Sequence, residues 1–347
     1  MAGVAVAGSL VADVIKMISY YPDKGMLADI SSESYGIGGC VSNTAVGVKK
    51  LDPSIEVKSI GLTGKDDKGK FLKEKLDAFG IDTSLIGETE KEVTSFSDVM
   101  TVTSTGERTF FHNRGACRLF DESCMHLDTL DAELVLLGYG GLLDAMNKLD
   151  ETYGTVLAKT FHDMKQKGIE TAMDVASLKD QEEMHRLIVP SLKYVDYLIV
   201  NEIESGMIAG ISPRDEKGEL IPGALEEICR RIMSFGVGKC CVVHAPEVGC
   251  AVDRDGKYYE EPSLKLPKGY IVGAVGAGDS FCAGILYSIY KKLPVQEALK
   301  IGASSAAANL SAGDSVGGLR SIEETMELYK KYSIRRHEHN WAKHLFY

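Results

Sequence analysis

Gly276-Ala277-Gly278-Asp279-Ser280-Phe281 sets two glycines one residue apart directly ahead of an aspartate, and Cys282-Ala283-Gly284-Ile285-Leu286-Tyr287 follows. Glycines at that spacing let the backbone turn tightly and let a ligand approach the main chain. The apolar run behind them predicts a buried helix that stops before Pro294. A glycine turn feeding a helix N-terminus aims unpaired N–H groups and the positive dipole end at one spot, which suits an anion. Asp279 in the first turn has two uses, as a helix-start residue and as a carboxylate beside that anion site. The pattern alone leaves both open.

Other polar residues stand where an open α/β sheet offers them to a ligand. Asp13 lies just past a first strand that ends at Gly8-Ser9. Gly38-Gly39 opens a helix of small residues that carries Asn43, whose amide both donates and accepts. Asp174 and the Asn201-Glu202-Ile203-Glu204 run close two further strands, where a carboxylate such as Glu204 can orient water around magnesium or can simply cap a helix. Arg108 and Arg114 flank a hairpin and can reach toward an anion, although an exposed arginine is usually just solvated.

The elements that position these residues read as alternating strands and helices. Strands are predicted at 57–62, 134–139, 169–175, 195–200, 240–244 and 248–252, from short β-branched runs. Helices are predicted at 71–80, 149–167 and 299–310, with a loop at 311–318. Residues 93–103 and 108–112 alternate around Ser104-Thr105-Gly106-Glu107, the mark of a hairpin and of a small second sheet. Residues 14–35 show no helical period and read as an excursion from the main sheet. The last stretch, 332–347, is basic and aromatic with no clear period.

Composition narrows the class of partner. The 347 residues carry 39 basic against 50 acidic side chains, a net charge of −11, which argues against nucleic acid or an anionic membrane. No apolar run is long enough to span a membrane, and the N-terminus lacks the basic region of a signal peptide. Eight cysteines are scattered without a Cys-x-x-Cys pair, so reduced thiols in a cytoplasmic protein are expected rather than disulfides or zinc. A nicotinamide-binding fingerprint belongs in the first βα unit, and Gly3 to Asp13 lacks its spacing.

Taken in order, these segments resemble the ribokinase-like (PfkB-type) carbohydrate kinases. The similarity runs from about Val4 to the helix near Leu328. Gly276-Ala277-Gly278-Asp279 matches the family's C-terminal signature, and Gly38-Gly39 with Asn43 and Ala45 resembles the N-terminal one. Residues 61–69 followed by 80–84 look like the connecting segment, Gly106-Glu107-Arg108-Thr109-Phe110 like the lid hairpin, and Asn201 with Glu204 like the Asn-x-x-Glu motif.

The resemblance implies a three-layer αβα fold with a mainly parallel central sheet and a small β lid. Residues 1–13, 36–92 and 115–330 would form the main domain, 14–35 and 93–114 the lid, and 331–347 a tail of no assigned role. It implies transfer of the ATP γ-phosphoryl group to a sugar hydroxyl, with Asp279 as base and the Gly276, Ala277 and Gly278 amides as anion hole. Asp13, Gly38, Gly39, Asn43, Arg108 and Arg114 would bind the acceptor. Asn201, Ala303, Ser311 and Gly313 would bind nucleotide, and Glu204 would act near Mg²⁺. A homodimer through the lid is also implied. A ribonucleoside acceptor, or a sugar-binding protein without catalysis, are the competing readings. Two departures stand out: Gly273-Ala274-Val275 replaces the usual Asp-Thr ahead of the turn, and His244-Ala245-Pro246 follows a strand where a small or hydroxyl residue then glycine is usual. The first removes side-chain oxygens, so weak dependence on potassium is expected.

Overall fold

The computed structural model describes residues 3–176 and 178–333, so the basic, aromatic stretch from 334 onward lies outside it. The chain opens with β1 (Gly3–Gly8), every residue of which is buried. A strand covered on both faces reads as an unbroken run of small and β-branched residues, which is what Gly-Val-Ala-Val-Ala-Gly supplies. It continues into β2 (Val11–Ile18), returns as β3 (Ile30–Gly38) and enters α1 (Gly39–Leu51). The excursion expected at 14–35 is therefore two paired strands. The outer part of β3 is exposed on both faces, so Ser31-Ser32-Glu33-Ser34 carries no alternation to betray it.

Next come β4 (Val57–Gly64), α2 (Asp67–Ala78) and β5 (Asp82–Thr89). Helix α2 begins before the expected 71 because Asp66 caps it, its side chain accepting from the Gly69 amide at 2.9 Å. The hairpin is β6 (Phe96–Val102) and β7 (Arg108–Asn113), and β8 (Ala132–Gly138) returns to the main sheet. The helix expected at 149–167 starts only at Val156. Before it lie β9 (Leu149–Asp150) and β10 (Gly154–Thr155), whose turn is held by Asp150 accepting from the amides of Thr152 and Tyr153. Thr155 then caps α3 (Val156–Gln166).

The remaining chain alternates: β11 (Glu170–Met173), α4 (Gln181–Leu187), α5 (Val189–Leu192), β12 (Tyr197–Asn201), α6 (Glu202–Ala209), α7 (Ala224–Met233) and β13 (Cys240–His244). It ends with β14 (Val248–Asp253), β15 (Tyr258–Pro262), α8 (Ala277–Tyr290), α9 (Val295–Asn309) and α10 (Ile322–Tyr332).

Among the described residues the main sheet has nine strands in the order β15-β14-β13-β12-β11-β8-β1-β4-β5. It is parallel from β13 to β5, and β14 and β15 form an antiparallel edge. Alternate residues feed two cores: Ala5 and Ala7 face one with Phe161, Met184 and Ile228, and Val4 and Val6 face the other with Val41, Leu72, Ile285 and Leu299. A second sheet of four strands, β3-β2-β6-β7, is mixed, with β2 and β6 parallel and its outer pairs antiparallel. No helix among the described residues is long and apolar enough to cross a membrane.

Candidate active site

The two sheets meet at the C-terminal end of β1, and the polar residues singled out above gather there. Helix α8 enters through Gly276, which takes a left-handed φ of 75°. A β-carbon there would fall 2.4 Å from the Ser315 carbonyl oxygen, so only glycine fits without displacing the 311–318 loop. Gly276, not Asp279, is the N-cap, and no side chain caps the helix. The Ala277 amide turns inward to the Ala274 carbonyl at 3.3 Å. The next amides of the first turn have no partner within a helix by its geometry, which leaves them to a ligand. Gly273-Ala274-Val275 supplies no side-chain oxygen, and the Val275 carbonyl accepts from Asn309 Nδ2 at 2.8 Å.

Asp279 sits in that first turn, buried, with a donor on each oxygen. Asn43 Nδ2 donates to Oδ2 at 2.8 Å, and the Tyr139 hydroxyl donates to Oδ1 at 2.9 Å. Burial pushes its carboxyl above the usual range, and the two donors pull it back. Asn43 is carried by α1, whose N-cap is Gly38. A β-carbon on Gly38 would lie 2.7 Å from Asp13 Oδ2, so the missing side chain lets the Asp13 carboxylate rest on the helix start. Asp13 is pushed up to about 6, chiefly by burial and further by Asp279, while Arg108 opposes the shift.

Arg108, on β7, donates to the Gly313 carbonyl and so ties the second sheet to the loop after α9. Asp13, Gly36, Arg108 and Ser315 share a cavity of about 150 Å³ that is also lined by Tyr35, Phe71, Phe79 and Phe110. Arg114 points away and pairs with Asp144 at the surface. Ala303 is buried in an apolar cluster with Leu264, Ala307 and Leu328, and Ser311 donates to the Ala308 carbonyl at 2.7 Å.

Asn201 and Glu204 make the capping box of α6. Asn201 Oδ1 accepts from the Glu204 amide at 2.8 Å, and Glu204 Oε2 accepts from the Asn201 amide at 3.1 Å. Asp174, buried just past β11, has its carboxyl pushed well up by burial and then by the charges of Glu204 and Asp279. His244 ends β13 beside Asn201. Its ring lies 4.9 Å from that of Phe281, and a β-carbon on Gly278 would come within 3.2 Å of it. Burial lowers the imidazole to about 4, so it is neutral at physiological pH. Tyr139 escaped the sequence reading. Its signal is faint: an aromatic residue inside Gly138-Tyr139-Gly140-Gly141 at a strand end.

A mainly parallel sheet between helical layers, with a small second sheet covering a cleft at the strand ends, defines a class that comparison places. The pfkB family carbohydrate kinase model matches residues 1–320, and the chain belongs to that family. The chain is 23% identical to the 5-dehydro-2-deoxygluconokinase of Clostridium botulinum (strain Alaska E43 / Type E3), over 85% of this chain and 84% of that one. It is 22% identical to the nucleoside kinase of Methanocaldococcus jannaschii, over 96% and 99%. The solved structure of Arabidopsis thaliana ribokinase complexed with ribose and ATP superposes with a TM-score of 0.78, at 20% identity over 95% and 99%. The fold is thus ribokinase-like, and the protein is a kinase that transfers a phosphoryl group to an alcohol acceptor.

Proposed function

We propose that this chain transfers the γ-phosphoryl group of ATP to a hydroxyl of a sugar, with Asp279 as general base. The observation that supports it most is the placement of Asp279: a buried carboxylate, hydrogen-bonded on both oxygens, in the first turn of an uncapped helix and within electrostatic reach of Asp13. Asp279 takes the proton of the acceptor hydroxyl as the new P–O bond forms. The bond from the γ-phosphorus to its bridging oxygen breaks, and ADP leaves. The open amides of the α8 start, Gly278 foremost, hold the charge on the transferring group. A positioned base contributes roughly 10²–10⁴ in rate. Asp13 and Asn43 orient the acceptor's hydroxyls, and Arg108 closes the cleft from the second sheet.

Magnesium takes oxygen ligands and keeps much of its water. No three His, Cys, Asp or Glu side chains among the described residues form a metal cage. The buried Asp174 and Glu204 offer the sparse carboxylate set that suits an ion carried by water and phosphate, and they would hold it. Bound there, it supplies neutralisation of phosphate charge. Asn201, Ser311 and Gly313 would line the nucleotide through backbone groups, since the side chains of Asn201 and Ser311 are bonded within their own turns and Gly313 has none.

A ribonucleoside acceptor is the second reading, favoured by the aromatic side chains in the cleft lining, on which a planar base can stack. A panel of sugars, sugar acids and nucleosides assayed for acceptor-dependent ADP release separates the two. Turnover with a free sugar is expected. Turnover confined to nucleosides selects the second reading, and no turnover with any acceptor overturns both.

A further inference from the structure

Tyr139 is held in place by more than its hydrogen bond to Asp279. It takes φ 56° and ψ 38°, the left-handed region that favours glycine. Its neighbours Gly138 and Gly140 are both glycine, so the strained position carries the side chain and the easy ones do not. Its amide donates to the Asp174 carbonyl at 3.0 Å, and its own carbonyl accepts from Leu142 at 2.8 Å. These bonds fix the backbone on both sides. Strain of this kind persists where the surroundings over-determine it, and it concentrates at functional sites.

The phenol reaches Asp279 Oδ1 at 2.9 Å while Asn43 holds Oδ2. If Asn43 also serves the acceptor, Tyr139 is the donor that belongs to the base alone. Resting on the reading of Asp279 as base, we propose that Tyr139 is a positioning residue that fixes the Asp279 carboxylate and keeps it ionised until it takes the acceptor's proton.

The other groups around the carboxylate cannot do this. Asp13 on β2 and Asp174 after β11 carry charges that oppose its ionisation, Glu204 on α6 acts on Asp174, and Arg108 on β7 donates to the Gly313 carbonyl. His244 at the end of β13 is neutral. The thiols of Cys40 on α1 and Cys282 on α8 are pushed well up by burial and stay protonated. The Tyr139 phenol is likewise pushed up by burial, then by the charge of Asp279, so it keeps its proton and acts as donor.

The sign of the effect is fixed. A donor to the charged form lowers a carboxyl's pKa, so removing it raises the pKa of Asp279. In Tyr139→Phe, the acid limb of kcat against pH, at saturating acceptor and ATP, should move up by about one unit, so that the loss grows to about tenfold below the limb and disappears well above it. The acceptor KM should stay within about twofold. A purely structural role would lower kcat evenly across pH and leave the limb where it was, which overturns the proposal. Should the phenylalanine variant fail to fold, 3-fluorotyrosine placed at 139 keeps the shape and makes a stronger donor. The limb then moves down, and an unmoved limb overturns the proposal equally. Asp279→Asn run alongside separates the two levels. If it loses activity while the Tyr139 variants keep the wild-type limb, the base stands and the positioning role falls. If it stays active, the base reading falls and takes the positioning role with it.

Discussion

Asp13 and Asp279 share one cleft, and their surroundings give them different work. Asp279 has a neutral donor on each oxygen, whereas Asp13 leans on the bare backbone of Gly38 with Arg108 as its compensating charge. With a value near 6, Asp13 is protonated below that pH and accepts an acceptor's hydroxyl less well. Acceptor KM is therefore expected to rise as pH falls through 6, by about tenfold at pH 5, while Asp13→Asn should show a weak but pH-independent KM. The stability effect has the opposite sign. A carboxyl raised in the folded state binds more protons there between about 4 and 6, so its contribution falls as pH rises through that window. Denaturant midpoints of wild type and Asp13→Asn should converge toward pH 4. A KM profile unchanged by the substitution would place the acceptor elsewhere. Asp13, Asn43, Gly38 and Asp279 were legible because each carries a local mark, a polar residue at a strand end or a glycine turn. Tyr139 has none: its role depends on β8 lying next to β1 in the sheet and turning back toward α8, which residue type does not encode. The same is true of Arg114, whose pairing with Asp144 depends on the loop after β8.

At the scale of elements, the site depends on how closely α1 and α8 approach. Gly47 lies one turn after Asn43, on the same face of α1. A β-carbon there would stand 2.4 Å from the Ala283 β-carbon, itself one turn after Asp279. The small residues that open both helices thus bring the amide of Asn43 to its 2.8 Å bond with Asp279. Gly47→Val should separate the helices, costing about 1–3 kcal/mol of stability by overpacking, and should lower kcat more than it raises ATP KM. A folded variant with unchanged kcat would show that the helix contact does not set the site. The sequence marked these helices by their glycine starts. It hid β3, because a strand exposed on both faces has no period, and it misplaced the start of α3, because Asx turns resemble a helix entrance.

Across the whole molecule, the second sheet shows one face to the cleft and carries apolar side chains outward. Ile30 and Phe111 are each at least half exposed, and Met26 and Leu27, in the loop before β3, more so. Exposed apolar surface with open strand edges invites a partner, and a second copy related by a two-fold axis covers it most simply. Light scattering at micromolar concentration is expected to give the mass of a dimer, and Phe111→Asp to shift it toward the monomer. A wild-type monomer under those conditions would remove the proposed assembly while leaving the chemistry untouched. The fold class was legible at this scale because alternating strands and helices leave few topologies, whereas a mate for the lid leaves no mark on any single segment.

The chemistry itself is tested most directly by Asp279→Asn with an acceptor found in the panel. The asparagine keeps the size of the side chain and can still pair with Asn43 and Tyr139, but it cannot take a proton at neutral pH. Acceptor-dependent ADP release is expected to fall by about 10²-fold or more, with the acceptor Kd, measured by calorimetry, within a few-fold of wild type. Turnover close to the wild-type rate would contradict the assignment of Asp279 as the base.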